Sequence, residues 1–228
     1  MRPVKIAPSV LAYDLSDLRG AVGIADRGGA DLVHLDVIDG HFAPNITFGA
    51  GTIRALRKNS KLVFEAHLMI SEPARYLRDF LDAGSDIVVV HAETVDGPAF
   101  DALHAMVHSF GKQIGLALKP GTELPEWAEE RLDRLKTIIV LTVNPGFSGQ
   151  KMDVGQFPKI ERLDRLISGK GLDVDIEVDG GIDSSNVSEV AKAGGNSFVA
   201  GAGVYNQPDP VLAISKIRQN AMAARSGA

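Results

Sequence analysis

Four segments of this chain run from apolar stretches into side chains that can hold a metal or carry a proton. They are DLVHLDVIDGHFAPN from Asp31, LVFEAHLMI from Leu62, IIVLTVNPGFSGQ from Ile138 and DIEVDGG from Asp175. His34 and Asp36 stand two apart, and alternate side chains of a strand share a face. A neutral imidazole beside a carboxylate is half of a site for a borderline metal. His67 can supply a third ligand and Asp179 a fourth. Alone, His34 and Asp36 could be an inward polar pair satisfied by neighbours. With His67 and Asp179 at equivalent strand ends, a converging site is the better account. Two His and two carboxylates suit one divalent ion, with Zn, Fe(II), Mn and Co all compatible.

Elsewhere the same residue types read as structural. Asp39 sits in a DG turn and is expected to shape the loop. His91 and Glu93 end the fourth strand and are expected either in the barrel's polar layer or behind a ligand, not in direct chemistry. His104 and His108 lie one turn apart on an outer helix, where a solvated face is expected. Met69, Phe42 and Leu141 are expected to wall a pocket.

The elements that must position these groups alternate regularly. Strands are expected at Lys5–Leu11, Leu32–Asp36, Leu62–Leu68, Ile87–His91, Gln113–Leu118, Thr137–Thr142, Val174–Val178 and Asn196–Ala200. Helices are expected between and after them, at Leu15–Arg27, Gly49–Lys58, Pro73–Ala83, Pro98–Phe110, Glu126–Arg134, Pro158–Ile167, Ser185–Ala193 and Asp209–Ala224. Pro73 suits a first helical turn and Gly84 a helix end. The strands are almost wholly apolar, which implies burial on both faces. Eight βα units without a break in composition predict an α/β fold, a single (β/α)8 TIM barrel forming one domain over residues 1–228. An open doubly wound sheet would want a Gly-rich turn after the first strand, where this chain has APSVLAYD.

Composition narrows the partners. The chain has 228 residues, 45% hydrophobic, enough for one large core, and a net charge of −5 with scattered Lys and Arg. No nucleic-acid or membrane footprint is present, and there is no Cys for thiolate or disulfide chemistry. The N-terminal stretch lacks the apolar run of a signal peptide, so a cytoplasmic location is expected. Three glycine turns follow strands six, seven and eight: NPGFSGQ, DGGIDSSN and GAG at 201–203. Their backbone N–H groups can receive an anion unhindered by side chains, and barrels often hold phosphate in this quarter.

The stretches IAPSVLAYDL, HLDVIDGHFAPNITFG, HLMISEP, HAET, LKPGT, VNPGFSGQK and IEVDGG resemble the ribulose-phosphate 3-epimerase family over almost the whole chain. The resemblance implies a (β/α)8 barrel with one divalent metal that interconverts D-ribulose 5-phosphate and D-xylulose 5-phosphate. It implies metal ligands at His34, Asp36, His67 and Asp179, with Asp36 and Asp179 moving protons through an enediolate. It also implies substrate contacts at Ser9, His67, Met69, Gly146, Phe147, Ser148, Gly149, Gly180, Gly181, Gly201 and Ala202. This chain departs from the family pattern at Ile38 and Leu141, where Met is frequent, at Ser148 within the phosphate turn, and at Ala202, where Ser is usual. Those changes leave room for another ketose phosphate, such as D-allulose 6-phosphate or a tetrulose phosphate. A non-catalytic sugar-phosphate-binding barrel is the third reading. The expected partners are a small ketose phosphate and further copies of the chain in a homo-oligomer, with no nucleic acid and no membrane.

Overall fold

The structure is a computed structural model and describes residues 2–226. Eight parallel strands form one sheet: β1 (Lys5–Pro8), β2 (Leu32–Ile38), β3 (Val63–Met69), β4 (Ile87–His91), β5 (Gln113–Leu118), β6 (Thr137–Leu141), β7 (Asp175–Asp179) and β8 (Ser197–Ala200). From β2 to β8 each pairs with its neighbour in chain order, and β1 pairs with β8. A bridge between Ser9 and His34 links the β1 end to β2, so the sheet closes as the single (β/α)8 barrel expected from the strand pattern.

Around it run α1 (Leu18–Arg27), α2 (Ala50–Arg57), α3 (Pro73–Asp82), α4 (Gly97–Ser109), α5 (Glu126–Glu129), α6 (Phe157–Gly169), α7 (Val187–Lys192), α8 (Ala202–Tyr205) and α9 (Pro210–Ser226). Local chemistry sets their ends. Asp17 accepts from Gly20 N–H at the start of α1, and Asp96 from Ala99 N–H at the start of α4. Pro73 occupies the first position of α3, and Gly84 takes φ +101° after it. No helix among the described residues is long and apolar enough to cross a membrane.

The two-residue repeat of the strands sorts the interior. Val33, Leu35, Val37, Phe64, Leu68, Val88, Val90, Ile176 and Val178 belong to the large apolar cluster shared with the helices. Their alternates face the barrel axis. Ile87, Val89, Ala117, Ile139 and Leu141 form a small apolar group there, and His34, Asp36, Glu65, His67, Glu177 and Ser197 form a polar one. The axis is therefore mostly filled, and most polar atoms within it bond one another.

Four boundaries differ from expectation for identifiable reasons. The first strand stops at Pro8, after which Val10–Ala12 form a 3₁₀ turn with Tyr13 N–H bonded to Val10 O. The second strand continues past Asp36 to Ile38, so Asp36 lies within the ladder, opposite His67. The expected helix Glu126–Arg134 breaks into α5 and a 3₁₀ turn at Leu132–Arg134, where Arg131 N–H bonds back three residues to Ala128 O. The Arg131 guanidinium takes the Trp127 carbonyl and ion-pairs with Asp101. Finally, Ala202–Tyr205, expected as loop, forms one helical turn before α9, with Val204 and Tyr205 N–H both bonded to Gly201 O.

Candidate active site

At the C-terminal end of the barrel, β2 delivers His34 and Asp36, β3 delivers His67 and β7 delivers Asp179. Their ligating atoms all lie within 4.8 Å of one another. His34 Nε2 stands 3.1 Å from Asp36 Oδ1 and 3.1 Å from His67 Nδ1. His67 Nδ1 is 3.2 Å from Asp36 Oδ1, and Asp179 Oδ2 is 3.8 Å from both imidazole nitrogens. Metal–ligand bonds of about 2.0–2.2 Å place tetrahedral neighbours roughly 3.3–3.6 Å apart, so these separations bracket the span of one first-row ion.

The donor set fits as well. Glu65 Oε1 lies 2.9 Å from His34 Nδ1 and accepts its N–H, which leaves Nε2 as the lone-pair face toward the cluster. The site also demands positive charge. Burial alone would discharge His34, yet the Asp36 charge and the bonds to Asp36, Glu177 and Glu65 hold its imidazolium well above the ordinary range. A divalent cation supplies that charge directly. These four side chains could hold such an ion.

The two aspartates differ in environment. Burial pushes Asp36 toward its neutral form, but the His34 charge and hydrogen bond overcome this and hold the carboxyl well below the carboxylate range. Its Oδ2 accepts from Ser9 Oγ at 2.5 Å. In Asp179, burial and the nearby Asp36 charge push the carboxyl up to about 7. Its side chain is 17% exposed against 6% for Asp36, so it faces the opening. Two adjacent carboxyls with separated proton affinities can divide the roles of proton acceptor and donor.

Above them opens a cavity of about 330 Å³, within the range of small-ligand pockets. Ser9, Asp36, Met69 and Asp179 form its floor with Leu141, and the glycine loops after β6, β7 and β8 form the wall. Gly146, Phe147, Ser148, Gly149, Gly180, Gly181, Gly201 and Ala202 all line it, and no Lys or Arg does. Among the described residues, the N–H groups of Phe147, Ser148, Gly181, Ala202 and Gly203 have no protein acceptor. Gly181 holds φ +67°, and a Cβ there would sit 2.6 Å from Met152 N, so the loops after β6 and β7 pack backbone against backbone. Asn45 Nδ2 donates to Gly146 O and ties the loop after β2 to the same wall.

Two expectations shift. His67 is fully buried and does not line the cavity, so it joins the ligand cluster rather than the substrate wall. Phe42 also stays off the cavity wall. Its ring centroid lies 4.4 Å from that of His91, with Lys119 Nζ 3.6 Å from the same centroid. Asp39 shapes its loop as expected, accepting from His41 and Phe42 N–H and from both the N–H and hydroxyl of Ser71.

Sequence reading missed Glu65 and Glu177. They lie side by side beneath His34, with Glu177 Oε1 3.4 Å from its Nδ1 and Ser197 donating to Glu177 Oε2 at 2.6 Å. Burial and the Glu177 charge push the Glu65 carboxyl well up. The signal was available: each stands two residues before a ligand, in FEAH and IEVD, and so shares its face.

Comparison with known proteins places the chain in a family. A model of the ribulose-phosphate 3-epimerase family matches residues 5–205. The ribulose-phosphate 3-epimerase of Bacillus subtilis is 42% identical over 216 residues, covering 94% of this chain and 98% of its own length. That of Synechocystis sp. is 40% identical over 217 residues, covering 95% and 94%. Among solved structures, 3-hexulose-6-phosphate synthase from Salmonella typhimurium superposes with a TM-score of 0.68 at 21% identity, over 96% of this chain and 99% of that one. The 3-keto-L-gulonate-6-phosphate decarboxylase of Vibrio cholerae gives 0.72 at 15% identity, over 98% and 99%. At such identities these two structures share the fold alone. The family match and the near full-length relatives carry the assignment: this chain belongs to the ribulose-phosphate 3-epimerase family.

Proposed function

We propose that this protein is a metal-dependent epimerase that interconverts D-ribulose 5-phosphate and D-xylulose 5-phosphate by inverting C3. The observation that carries the reading is the pair Asp36 and Asp179, two carboxyls delivered by β2 and β7 into one His/Asp cluster, at the floor of a cavity whose far wall is cation-free glycine turns.

The C–H next to a ketone is weakly acidic, and inversion requires its proton to leave on one side and a proton to return on the other. A divalent ion held by His34, Asp36, His67 and Asp179 would supply Lewis-acid stabilisation of the negative charge, worth several kcal/mol. One aspartate takes the C3 proton and the other delivers one to the opposite face. On return to the resting state the two have exchanged protonation, so the reverse reaction uses the same pair with roles reversed. Ser9 fixes Asp36 through its hydroxyl, and Met69 and Leu141 keep the floor apolar. The phosphate rests on backbone N–H groups of the Gly146–Gly149, Gly180–Gly181 and Gly201–Gly203 turns, which stabilise an anion without a side-chain cation.

The test is turnover in D2O of ribulose, allulose and erythrulose phosphates, with protein stripped of metal and reloaded with Zn2+, Fe2+, Mn2+ or Co2+. Deuterium should enter at C3, fastest with ribulose 5-phosphate, and only in the reloaded protein. No incorporation with any of the three sugars would mark a binding barrel. Full activity after rigorous metal removal would overturn the metal-dependent reading. A faster allulose or erythrulose phosphate would replace the substrate.

A further inference from the structure

Behind the ligand cluster, three side chains continue a single line of hydrogen bonds away from the cavity. His67 Nε2 lies 2.9 Å from His91 Nε2, His91 Nδ1 lies 2.9 Å from Glu93 Oε2, and Glu93 Oε1 accepts from Lys119 N–H at 2.9 Å. We infer that Glu93, acting through His91, sets the tautomer of His67 and thereby keeps Nδ1 bare for the metal. This rests on the metal site proposed above.

The inference follows link by link. A backbone N–H can only donate, so Lys119 orients Glu93 with one oxygen accepting and the other turned to His91. A carboxylate can only accept, so His91 must carry its proton on Nδ1. A neutral imidazole protonated on Nδ1 has its lone pair on Nε2. His67 must therefore donate from Nε2, and its own lone pair falls on Nδ1, 3.1 Å from His34 Nε2 and 3.2 Å from Asp36 Oδ1. The groups are locked in place. His91 is fully buried, its ring lies 5.0 Å from that of His67 at an interplanar angle of 20°, and Phe42 packs on it. The ionised state of Glu93 is supported by its surroundings: burial opposes ionisation, but His91, Thr122 and Lys119 N–H hold the carboxyl down to about 2. Glu65 lies directly against His34 Nδ1, so each imidazole of the cluster has its own glutamate, one adjacent and one relayed.

Glu93→Gln separates this role from packing. The amide has the same shape, and Lys119 N–H keeps its carbonyl oxygen in the Oε1 position. Its NH2 then faces His91 Nδ1, which must accept. The proton moves to His91 Nε2, which now donates to His67 Nε2, and His67 is driven to carry its proton on Nδ1. Outer partners of metal-bound His are typically worth about 10–100-fold in metal affinity. With Zn2+ delivered from chelator buffers, Glu93→Gln is expected to weaken binding 10–100-fold while its far-UV spectrum and melting transition stay native. In parallel, 15N-edited imidazole spectra of the metal-free parent should show His67 protonated on Nε2, and Glu93→Gln should move that proton to Nδ1. Zn2+ affinity of Glu93→Gln within threefold of the parent would overturn the inference. So would a parent His67 protonated on Nδ1, a measurement that needs no variant to fold. Failure of the parent itself to bind Zn2+ or any other divalent ion would instead remove the metal site on which the inference stands.

Discussion

Replacing Ser9 by Ala tests the floor of the site with one atom. Ser9 Oγ donates to Asp36 Oδ2 at 2.5 Å, both residues are buried, and no other donor to that oxygen is found among the described residues. The substitution leaves a buried carboxylate oxygen unpaired and opens a void no larger than a hydroxyl. A hydrogen bond to a charged group is worth about 1.5–3 kcal/mol. In a chain of this length that predicts a melting temperature lower by about 3–12 °C. The sign with pH follows from Asp36. Its folded carboxyl is held below the unfolded value of about 3.9, so the stabilisation it contributes is complete above that value and is lost only as pH falls through the folded one. The gap between Ser9→Ala and parent should therefore stay constant from pH 5 to 8. The same energy limits the loss of turnover to about 10–150-fold, since only steps that need ionised Asp36 lose the bond. Calorimetry of metal-free and metal-loaded protein, with coupled steady-state assays, measures both. In an Asp36→Asn background, removing Ser9 Oγ should cost no more than about 1.5 kcal/mol, the value for a neutral pair. A parent-like melting temperature, or an undiminished cost in the Asn background, would refute the assignment of that hydroxyl to the Asp36 carboxylate.

Further outcomes are expected. Asp179→Asn should lower kcat by about 10²–10⁴, the worth of an acid/base group, with metal content measured alongside; near-normal turnover with metal bound would remove Asp179 from proton transfer. Gly181→Ala places a side chain at φ +67° and 2.6 Å from Met152 N, so it should destabilise the fold by about 1–3 kcal/mol and raise KM for the sugar phosphate, as read by thermal melts and steady-state kinetics. Ala202→Ser restores the hydroxyl usual in the family, and one neutral hydrogen bond of about 0.5–1.5 kcal/mol should lower KM for ribulose 5-phosphate by roughly 2–10-fold; an unchanged or higher KM would mean that the phosphate sits elsewhere.

Much of this protein was legible in its sequence, because the relevant signals are local. Apolar strands bounded by Gly and Pro gave the eight units, since burial on both faces forbids polar alternation. The two-residue spacing of His34 and Asp36 put both on the inner face, since the period of a strand is a covalent property. The glycine turns likewise announced a cavity wall without Lys or Arg. Other features depend on residues far apart in the chain. That Asp36 stands opposite His67, and His34 opposite Glu65, is a matter of register between β2 and β3, fixed only when the ladder closes. The buried glutamates could be seen as letters but not as neighbours, because their proximity comes from β3 and β7 facing each other across the axis. Which imidazole nitrogen faces the cluster, Nε2 in His34 and Nδ1 in His67, follows from partners on other strands. The break in the fifth helix arose from Arg131 reaching Asp101, and the end of β1 at Pro8 placed Ser9 against Asp36. Sequence periodicity thus chose the elements and their inner faces, while hydrogen-bond register and barrel closure decided which side chains meet there and which of them hold protons.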